Sequence, residues 1–136
     1  MTTHPIDKAT QGFTGPLLTE QLSDGRNMRL LDDFGYVDDK GVLHLAPADF
    51  IYDGGSIPRF LWRLIGSPFT GKARKAYPIH DYERAEALKI EDVDRREEVI
   101  AYSDATLHDI CEFVGVRRWR RRLMYVGIRA FAILRY

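Results

Sequence analysis

The pattern of apolar and polar residues changes near the middle of the chain. Up to about residue 51, short apolar runs alternate with Gly, Asp and Pro, a pattern typical of strands and turns. The polar segments 23–27 and 38–41 contain Asp and Gly, which tolerate the positive φ of tight hairpin turns. We therefore predict a small N-terminal antiparallel β-sheet, with strands at residues 17–22, 28–37 and 42–46.

From Ile57 onward the apolar residues recur at intervals of three and four, as they do on one face of a helix. A short first helix is predicted to begin after Ser56, a suitable N-cap residue, and to end near Gly66. Three longer helices are predicted at residues 72–88, 93–114 and 117–134.

Composition and length place these elements in one α+β domain, residues 1–136, mainly β over 1–51 and mainly α over 52–136. Of the 136 residues, 45% are apolar, and 20 basic residues balance 20 acidic ones. A chain of this length supports one hydrophobic core. Because the net charge is zero, we expect no specific nucleic-acid partner. No segment reaches the roughly 20 consecutive apolar residues that a membrane-spanning helix needs.

The N-terminal segment and the single cysteine both favour a cytoplasmic protein. Residues 1–10 are polar and lack the apolar run of a secretory signal. Cys111 has no second cysteine with which to form an internal disulfide, which fits a reducing compartment. Since it lies in an apolar-periodic segment, we expect Cys111 in the core.

The first segment that suggests chemistry is Asp53-Gly54-Gly55-Ser56-Ile57-Pro58. Its glycine pair lets the backbone turn sharply and direct its carbonyl groups inward, and Asp53 adds a charged oxygen ligand. These are features of a cation-binding loop. The alternative interpretation is a tight turn followed by the N-cap of a helix.

The second segment that suggests chemistry is the pair His80 and Asp81, on the second predicted helix at residues 72–88. Adjacent helical side chains point about 100° apart, so the two can contact different targets, such as a water and a metal. Asp104, on the next predicted helix, could fix the tautomer of His80 and stabilise its imidazolium form. Alternatively, Asp81 pairs with Arg84 one turn later, and His80 forms a hydrogen bond within the core.

The order of these residues resembles the core of the phospholipase A2 superfamily, particularly its short bacterial members. The resemblance covers about residues 52–111 and implies that the two central helices are phospholipase A2-like. It implies that His80 activates a water, that Asp104 supports His80, and that calcium binds at Asp53, Gly55 and Asp81. The implied activity is calcium-dependent hydrolysis of lipid esters, with a phospholipid substrate or a membrane surface as partner.

The chain also resembles, over nearly its whole length, a family of small phage and prophage proteins of unknown function. These share Asp-Gly-x-Ser-Ile-Pro, a following His-Asp and an Arg-rich C-terminal helix. This resemblance implies a second hypothesis: a non-enzymatic virion accessory or host-interaction protein whose polar residues form a buried network. Its partners would be phage structural proteins or a second copy of the chain, in the host cytoplasm or the virion.

A further alternative is the HD-type metal phosphohydrolases, whose order of ligands would be matched by His44, His80, Asp81 and Asp104. Those proteins are all-helical, whereas the alternation around His44 predicts a strand. Asp104 and His108 also share a helical face, but four zinc ligands are not evident, and we expect His108 to face solvent.

The last predicted helix begins with five arginines in the six positions 117–122, together with Trp119. Such a cluster can bind phosphates, stacked bases or a lipid interface, or it can simply be a solvated helix start. The segment 123–134 carries one charge, Arg129, and is too short to cross a bilayer at about 1.5 Å per residue. We expect it to lie mostly in the core, with some exposed area for a second copy or a larger assembly.

Overall fold

The computed structural model describes residues 11–135, so the polar segment 1–10 lies outside the described residues. Strands come first and helices follow, which confirms the predicted α+β class. The strands are β1 (Gly12–Phe13), β2 (Thr19–Gln21), β3 (Met28–Leu30), β4 (Phe34–Val37), β5 (Leu43–Ala46) and β6 (Ile51–Tyr52). The helices are α1 (Trp62–Ile65), preceded by a 3₁₀ turn at Arg59–Leu61, α2 (Ala76–Ala87), α3 (Val93–Phe113) and α4 (Arg118–Arg135). The likeness of the central helices to those of phospholipases stays a prediction.

The strands form two three-stranded antiparallel sheets, in the orders β1-β4-β5 and β2-β3-β6. Both predicted hairpin turns are present. In the first, the Asn27 carbonyl accepts a 2.9 Å hydrogen bond from the Leu22 N–H. In the second, Gly41 adopts a φ of 82° and donates to the Asp38 carbonyl at 3.0 Å.

The prediction of one strand over residues 28–37 was wrong, because this segment contributes β3 to one sheet and β4 to the other. The chain changes sheets at residues 31–33, where the Asp33 carboxylate accepts a 2.8 Å hydrogen bond from the Ala48 N–H. Leu30 is bonded through both its N–H and its carbonyl to the loop at Asp49 and Phe50. Alternating hydrophobicity continues across this turn, so it cannot reveal the change of sheet. The two-residue strands β1 and β6 were missed because they are too short to show a period.

The predicted ends of α3 and α4 lie within one residue of the observed ones, whereas α2 begins at Ala76, four residues after its predicted start. The Asp92 carboxylate accepts from the N–H groups of Asp94 and Arg95 and so caps the N-terminus of α3. At the other end of α3, Gly115 has a φ of 89°, and Val116 N–H donates to the Cys111 carbonyl at 2.9 Å. This is a Schellman termination.

The main core joins the inner faces of the sheets and the helices, and a small second cluster of Ala87, Ile100 and Ala132 lies between α2, α3 and α4. Cys111 is fully buried within the main core, as predicted. On α4 the inner side chains Met124 and Ile128 are buried, and Gly127 allows Leu61 to approach so closely that a Cβ would lie 2.8 Å from Leu61 Cδ2. Within residues 11–135, none of the helices has the length and apolar character that a membrane crossing requires.

Candidate functional site

His80 of α2 lies between a hydroxyl group and a carboxylate. Its Nδ1 is 2.8 Å from Ser56 Oγ, in the loop that precedes the 3₁₀ turn. Its Nε2 is 2.7 Å from Asp104 Oδ1, on α3. The ring is 2% exposed. Three segments that are far apart in the sequence therefore meet in a continuous chain of hydrogen bonds, Ser56–His80–Asp104.

Asp104 is fully buried and contacts two guanidinium groups besides the imidazole. Arg84 Nη2 donates to Oδ1 at 2.8 Å, and Arg129 Nη1 donates to Oδ2 at 2.7 Å. Burial acts to raise the pKa of Asp104, but the hydrogen bond and charge of His80 and the charges of the arginines outweigh it. The net effect lowers the pKa, so Asp104 is a carboxylate at neutral pH.

The charge of Asp104 fixes the tautomer of His80. A carboxylate can only accept, so the Nε2 that faces Asp104 carries a hydrogen. In the neutral imidazole, Nδ1 is then the acceptor, and it faces the Ser56 hydroxyl. A serine hydroxyl, a histidine that can take its proton and a carboxylate behind the histidine are the parts of a catalytic triad.

Asp81 holds the loop that carries Ser56. Its carboxylate accepts from Gly54 N–H at 2.7 Å, from Ser56 N–H at 3.2 Å and from the Ser56 hydroxyl. Burial raises the pKa of Asp81, and these hydrogen bonds together with the charge of His80 oppose the rise. The Ser56 hydroxyl carries one hydrogen and has two acceptors within reach, so it donates to either Asp81 Oδ1 or His80 Nδ1 at one time.

Gly54 is required where the loop passes α2. Its φ is 82°, and a Cβ at this position would lie 2.9 Å from Pro68 Cγ and 2.9 Å from Tyr77 Cδ1. A side chain would be strained by its backbone conformation and would collide with both neighbours. Gly54 therefore serves a close approach of the loop to α2.

The loop does not fit a calcium ion at Asp53, Gly55 and Asp81. Backbone N–H groups face both carboxylates: Gly55 donates to Asp53 at 2.8 Å, and Gly54 and Ser56 donate to Asp81. A calcium site needs oxygens that converge on the ion, whereas here the carboxylates are used by amide donors. Within the part of the chain that the structure describes, no group of three or more His, Cys, Asp or Glu side chains is arranged to hold a metal ion.

The serine, rather than the histidine, is the group that solvent can reach. Ser56 and Asp81 lie in the wall of an open groove of about 380 Å³, between the loop and the outer side of α2. Ser56 is partly exposed, whereas His80 is buried behind it. Of Ser56, His80 and Asp104, only Ser56 lines the groove.

Sequence reasoning grouped His80, Asp81 and Asp104, and the structure brings all three to one place with Ser56. Their catalytic roles stay predictions. The interpretation of Ser56 as a helix N-cap was wrong, because Pro58 occupies that position and makes no side-chain cap. The alternative pairing of Asp81 with Arg84 is replaced by the contact of Arg84 with Asp104. The position of Ser56 directly after a glycine pair was the available signal for its role.

His44 lies on a strand, as predicted, but it belongs to a different cluster. Its Nε2 is 2.8 Å from Asp38 Oδ2, and its Nδ1 is 2.5 Å from Glu83 Oε2. Both ring nitrogens are thus used away from His80, which removes the ligand order of an HD-type phosphohydrolase. His108 is partly exposed, and its ring makes an edge contact with Tyr125.

The fold and the site define an α+β protein with a Ser-His-Asp cluster of which Ser56 borders a surface groove and His80 and Asp104 are buried behind it. The family model described as "Protein of unknown function (DUF1353)" matches residues 28–128, and the chain belongs to this family. This confirms the predicted membership in a family of unknown function, while an origin in phage stays a prediction.

Two relatives come from Sinorhizobium fredii (strain NBRC 101917 / NGR234). The uncharacterized protein y4iH is 28% identical over 120 residues, which cover 88% of this chain and 46% of y4iH. The uncharacterized protein y4jT is 43% identical over 53 residues, 39% of this chain and 16% of y4jT. The chain thus spans less than half the length of either relative. No solved structure matches it.

Proposed function

We propose that the protein hydrolyses carboxylic esters, with Ser56 as nucleophile, His80 as general base and Asp104 as the carboxylate that supports His80. The observation that carries this proposal is the chain of contacts from Ser56 Oγ to His80 Nδ1, 2.8 Å, and from His80 Nε2 to Asp104, 2.7 Å. Lipid esters are the substrate class that the resemblance to phospholipase A2 implies.

The mechanism starts from the arrangement in which the Ser56 hydroxyl donates its hydrogen to His80 Nδ1 rather than to Asp81 Oδ1. Ser56 Oγ attacks the ester carbonyl carbon while its proton passes to His80 Nδ1, and Asp104 stabilises the resulting imidazolium. The bond to the alcohol oxygen breaks, and His80 returns the proton to that oxygen. Water then attacks the acyl carbon while His80 takes one of the protons of the water. The bond between the acyl carbon and Ser56 Oγ breaks, and His80 returns the proton to Oγ. One ester and one water become one acid and one alcohol.

This mechanism differs from the one that the resemblance to phospholipase A2 implies. There the histidine activates water directly, with calcium bound by the adjacent aspartate. Here Nδ1 faces Ser56, and the ring is 2% exposed, so water would react only after Ser56 is acylated. Because the Asp81 carboxylate holds the loop by its amides, no step is assigned to calcium.

The two arginines around Asp104 favour the same mechanism. They keep Asp104 ionised, and an ionised Asp104 keeps the hydrogen of His80 on Nε2. Nδ1 then remains available as the acceptor for the Ser56 proton. Arg84 and Arg129 are accordingly positioning residues rather than catalytic ones.

A non-enzymatic role is the second function, and the burial of the charged cluster favours it. Asp104 is 0% exposed and His80 is 2% exposed, as expected for a polar network that holds α2, α3 and α4 together. In this function the protein would be a virion accessory or host-interaction component that contacts phage structural proteins or a second copy of itself.

Chemical labelling and hydrolysis distinguish the two functions. The purified chain is incubated with a fluorophosphonate probe and, separately, with p-nitrophenyl esters of increasing acyl length. The first proposal predicts a probe adduct on Ser56, identified by mass spectrometry, and ester hydrolysis that falls at least about 10³-fold in Ser56→Ala. Ser23→Ala, in the exposed hairpin turn, is the matched control and should behave as wild type.

A defined result would also reject ester hydrolysis by Ser56. If the wild-type chain unfolds cooperatively, yet shows neither an adduct nor hydrolysis above that of Ser56→Ala, the hydrolase proposal is rejected and the structural role is supported.

Addition of calcium at millimolar concentration to both assays tests the cofactor separately. The arrangement of the loop predicts no change in rate and no thermal shift, whereas bound calcium at about 100 times its Kd would add about 2.7 kcal/mol to stability.

A further inference from the structure

The outward face of α4 is apolar along its whole length. Trp119, Leu123, Val126 and Ile133 follow one another at intervals of four, three and seven residues, and each side chain is more than half exposed. Leu134, 88% exposed, continues the same face. On the opposite side, Met124, Ile128 and Ala132 are buried in the core. The helix therefore presents a second apolar face, called here the outer face, that nothing within residues 11–135 covers.

Basic residues border the outer face. The sequence of α4 contains six arginines and no acidic residue. At 100° per residue, the exposed Arg118 and Arg122 lie along one edge of the outer face and Arg120 along the other. Arg120 also donates to the Arg63 carbonyl at 2.9 Å and so fixes α4 against α1.

The 3₁₀ turn before α1 also exposes an apolar side chain next to an arginine. The 3₁₀ turn at Arg59–Leu61 contacts α4 through Leu61, which packs on Gly127. Phe60 in this turn is 65% exposed, and the residue directly before it, Arg59, is also exposed. Aromatic and aliphatic side chains with arginines around them are the composition of helices that lie in a membrane interface.

We propose that the outer face of α4 binds the surface of an anionic phospholipid membrane. Leu123, Val126 and Ile133 would enter the acyl region, Trp119 would lie at the headgroup level, and the bordering arginines would contact lipid phosphates. A membrane provides both partners that this face needs, an apolar layer and a dense negative charge. The inference stands independently of ester hydrolysis, because none of these side chains belongs to the Ser56 cluster.

Charge argues against a second copy as the occupant. The spacing of the apolar residues would also suit a partner helix. A parallel pairing of two α4 helices, however, would set the arginines at one N-terminal end beside those at the other, with mutual repulsion, and in an antiparallel pairing the facing helix offers them no acidic residue. An anionic surface removes this repulsion.

Vesicle sedimentation tests the proposal. The Ser56→Ala chain, which cannot hydrolyse lipid through Ser56, is mixed with vesicles of phosphatidylcholine alone or of phosphatidylcholine and phosphatidylglycerol at 3:1. We expect binding to the anionic vesicles, little binding to the neutral ones, and a loss of binding at high salt. The reversal Arg118→Glu/Arg122→Glu should weaken binding at least about tenfold, since each arginine near the surface contributes to attraction.

Two further variants separate apolar insertion from charge. Leu123→Glu should weaken binding, whereas Val42→Glu, at an exposed position directly after the second hairpin turn, should not. Both positions are on the surface, so circular dichroism should show the wild-type fold. Equal binding to neutral and anionic vesicles, no binding, or a dimer in light scattering that Leu123→Glu dissociates would each overturn the proposal. Failure of ester hydrolysis leaves these readouts unchanged.

Discussion

Replacing Asp104 by Asn tests the charge cluster that joins α2, α3 and α4. The change removes a negative charge from a fully buried site that His80, Arg84 and Arg129 contact at 2.7, 2.8 and 2.7 Å. Removing one partner of a buried ion pair costs about 3–5 kcal/mol. The Arg129 side chain is 25% exposed and can regain water, whereas Arg84 is 2% exposed and cannot. Because one of the two guanidinium groups can be hydrated again, we expect the free energy of unfolding to fall by an amount near the lower end of this range, about 3 kcal/mol.

Urea unfolding followed by circular dichroism measures this loss. Glu98→Gln, an exposed position on the same helix, is the control and should change the free energy of unfolding by less than about 0.5 kcal/mol. The effect should also depend on pH. The pKa of Asp104 is lowered in the folded state, so its stabilisation is present above the pKa of an unfolded Asp and is lost as pH falls through the folded value.

The difference between wild type and Asp104→Asn should therefore shrink on acidification. A loss below about 1 kcal/mol at neutral pH, or a difference that stays constant down to low pH, would show that Asp104 is not the ionised centre of the cluster.

Three further predictions concern other positions. Gly54→Ala should destabilise the fold in urea by about 1–3 kcal/mol, and more than Gly25→Ala, which also has a positive φ but open space around it. Burial acts to lower the pKa of His44, but Glu83 and Asp38 outweigh burial, and the pKa is raised in the folded state. The free energy of unfolding that His44→Gln removes should therefore be largest below the pKa of an unfolded His and should fall as the pH rises. Burial raises the pKa of the Cys111 thiol to about 12, so iodoacetamide should modify it only in urea; rapid native labelling would contradict this.

The elements that sequence predicted best are those with local signals. Asp92 and Gly115 mark the two ends of α3, because capping depends on a few neighbouring residues. The break between β3 and β4 was missed because it depends on contacts with residues 48–50, which hydrophobic alternation does not encode.

The candidate site was predicted in outline. Sequence placed His80 and Asp104 on successive helices, and the structure joins them at 2.7 Å. It could not show that Ser56 occupies the other nitrogen of His80, or that Arg129 reaches Asp104 from α4, since each contact spans more than 20 residues. It also suggested calcium at Asp81, whose oxygens instead accept hydrogen bonds from the Gly54 and Ser56 N–H groups.

By itself, the amino-acid sequence determined the class of fold, the order of the helices and the small set of polar residues among which chemistry was to be sought. These properties follow from periodicity and from residue type, which act over a few positions. Only the tertiary structure decided the partner of each carboxylate: amides and a hydroxyl for Asp81, an imidazole and two guanidinium groups for Asp104. The physical reason is that a hydrogen bond forms only when the distance between its two groups is correct to within a fraction of an ångström. The packing of the whole chain sets the positions of those groups.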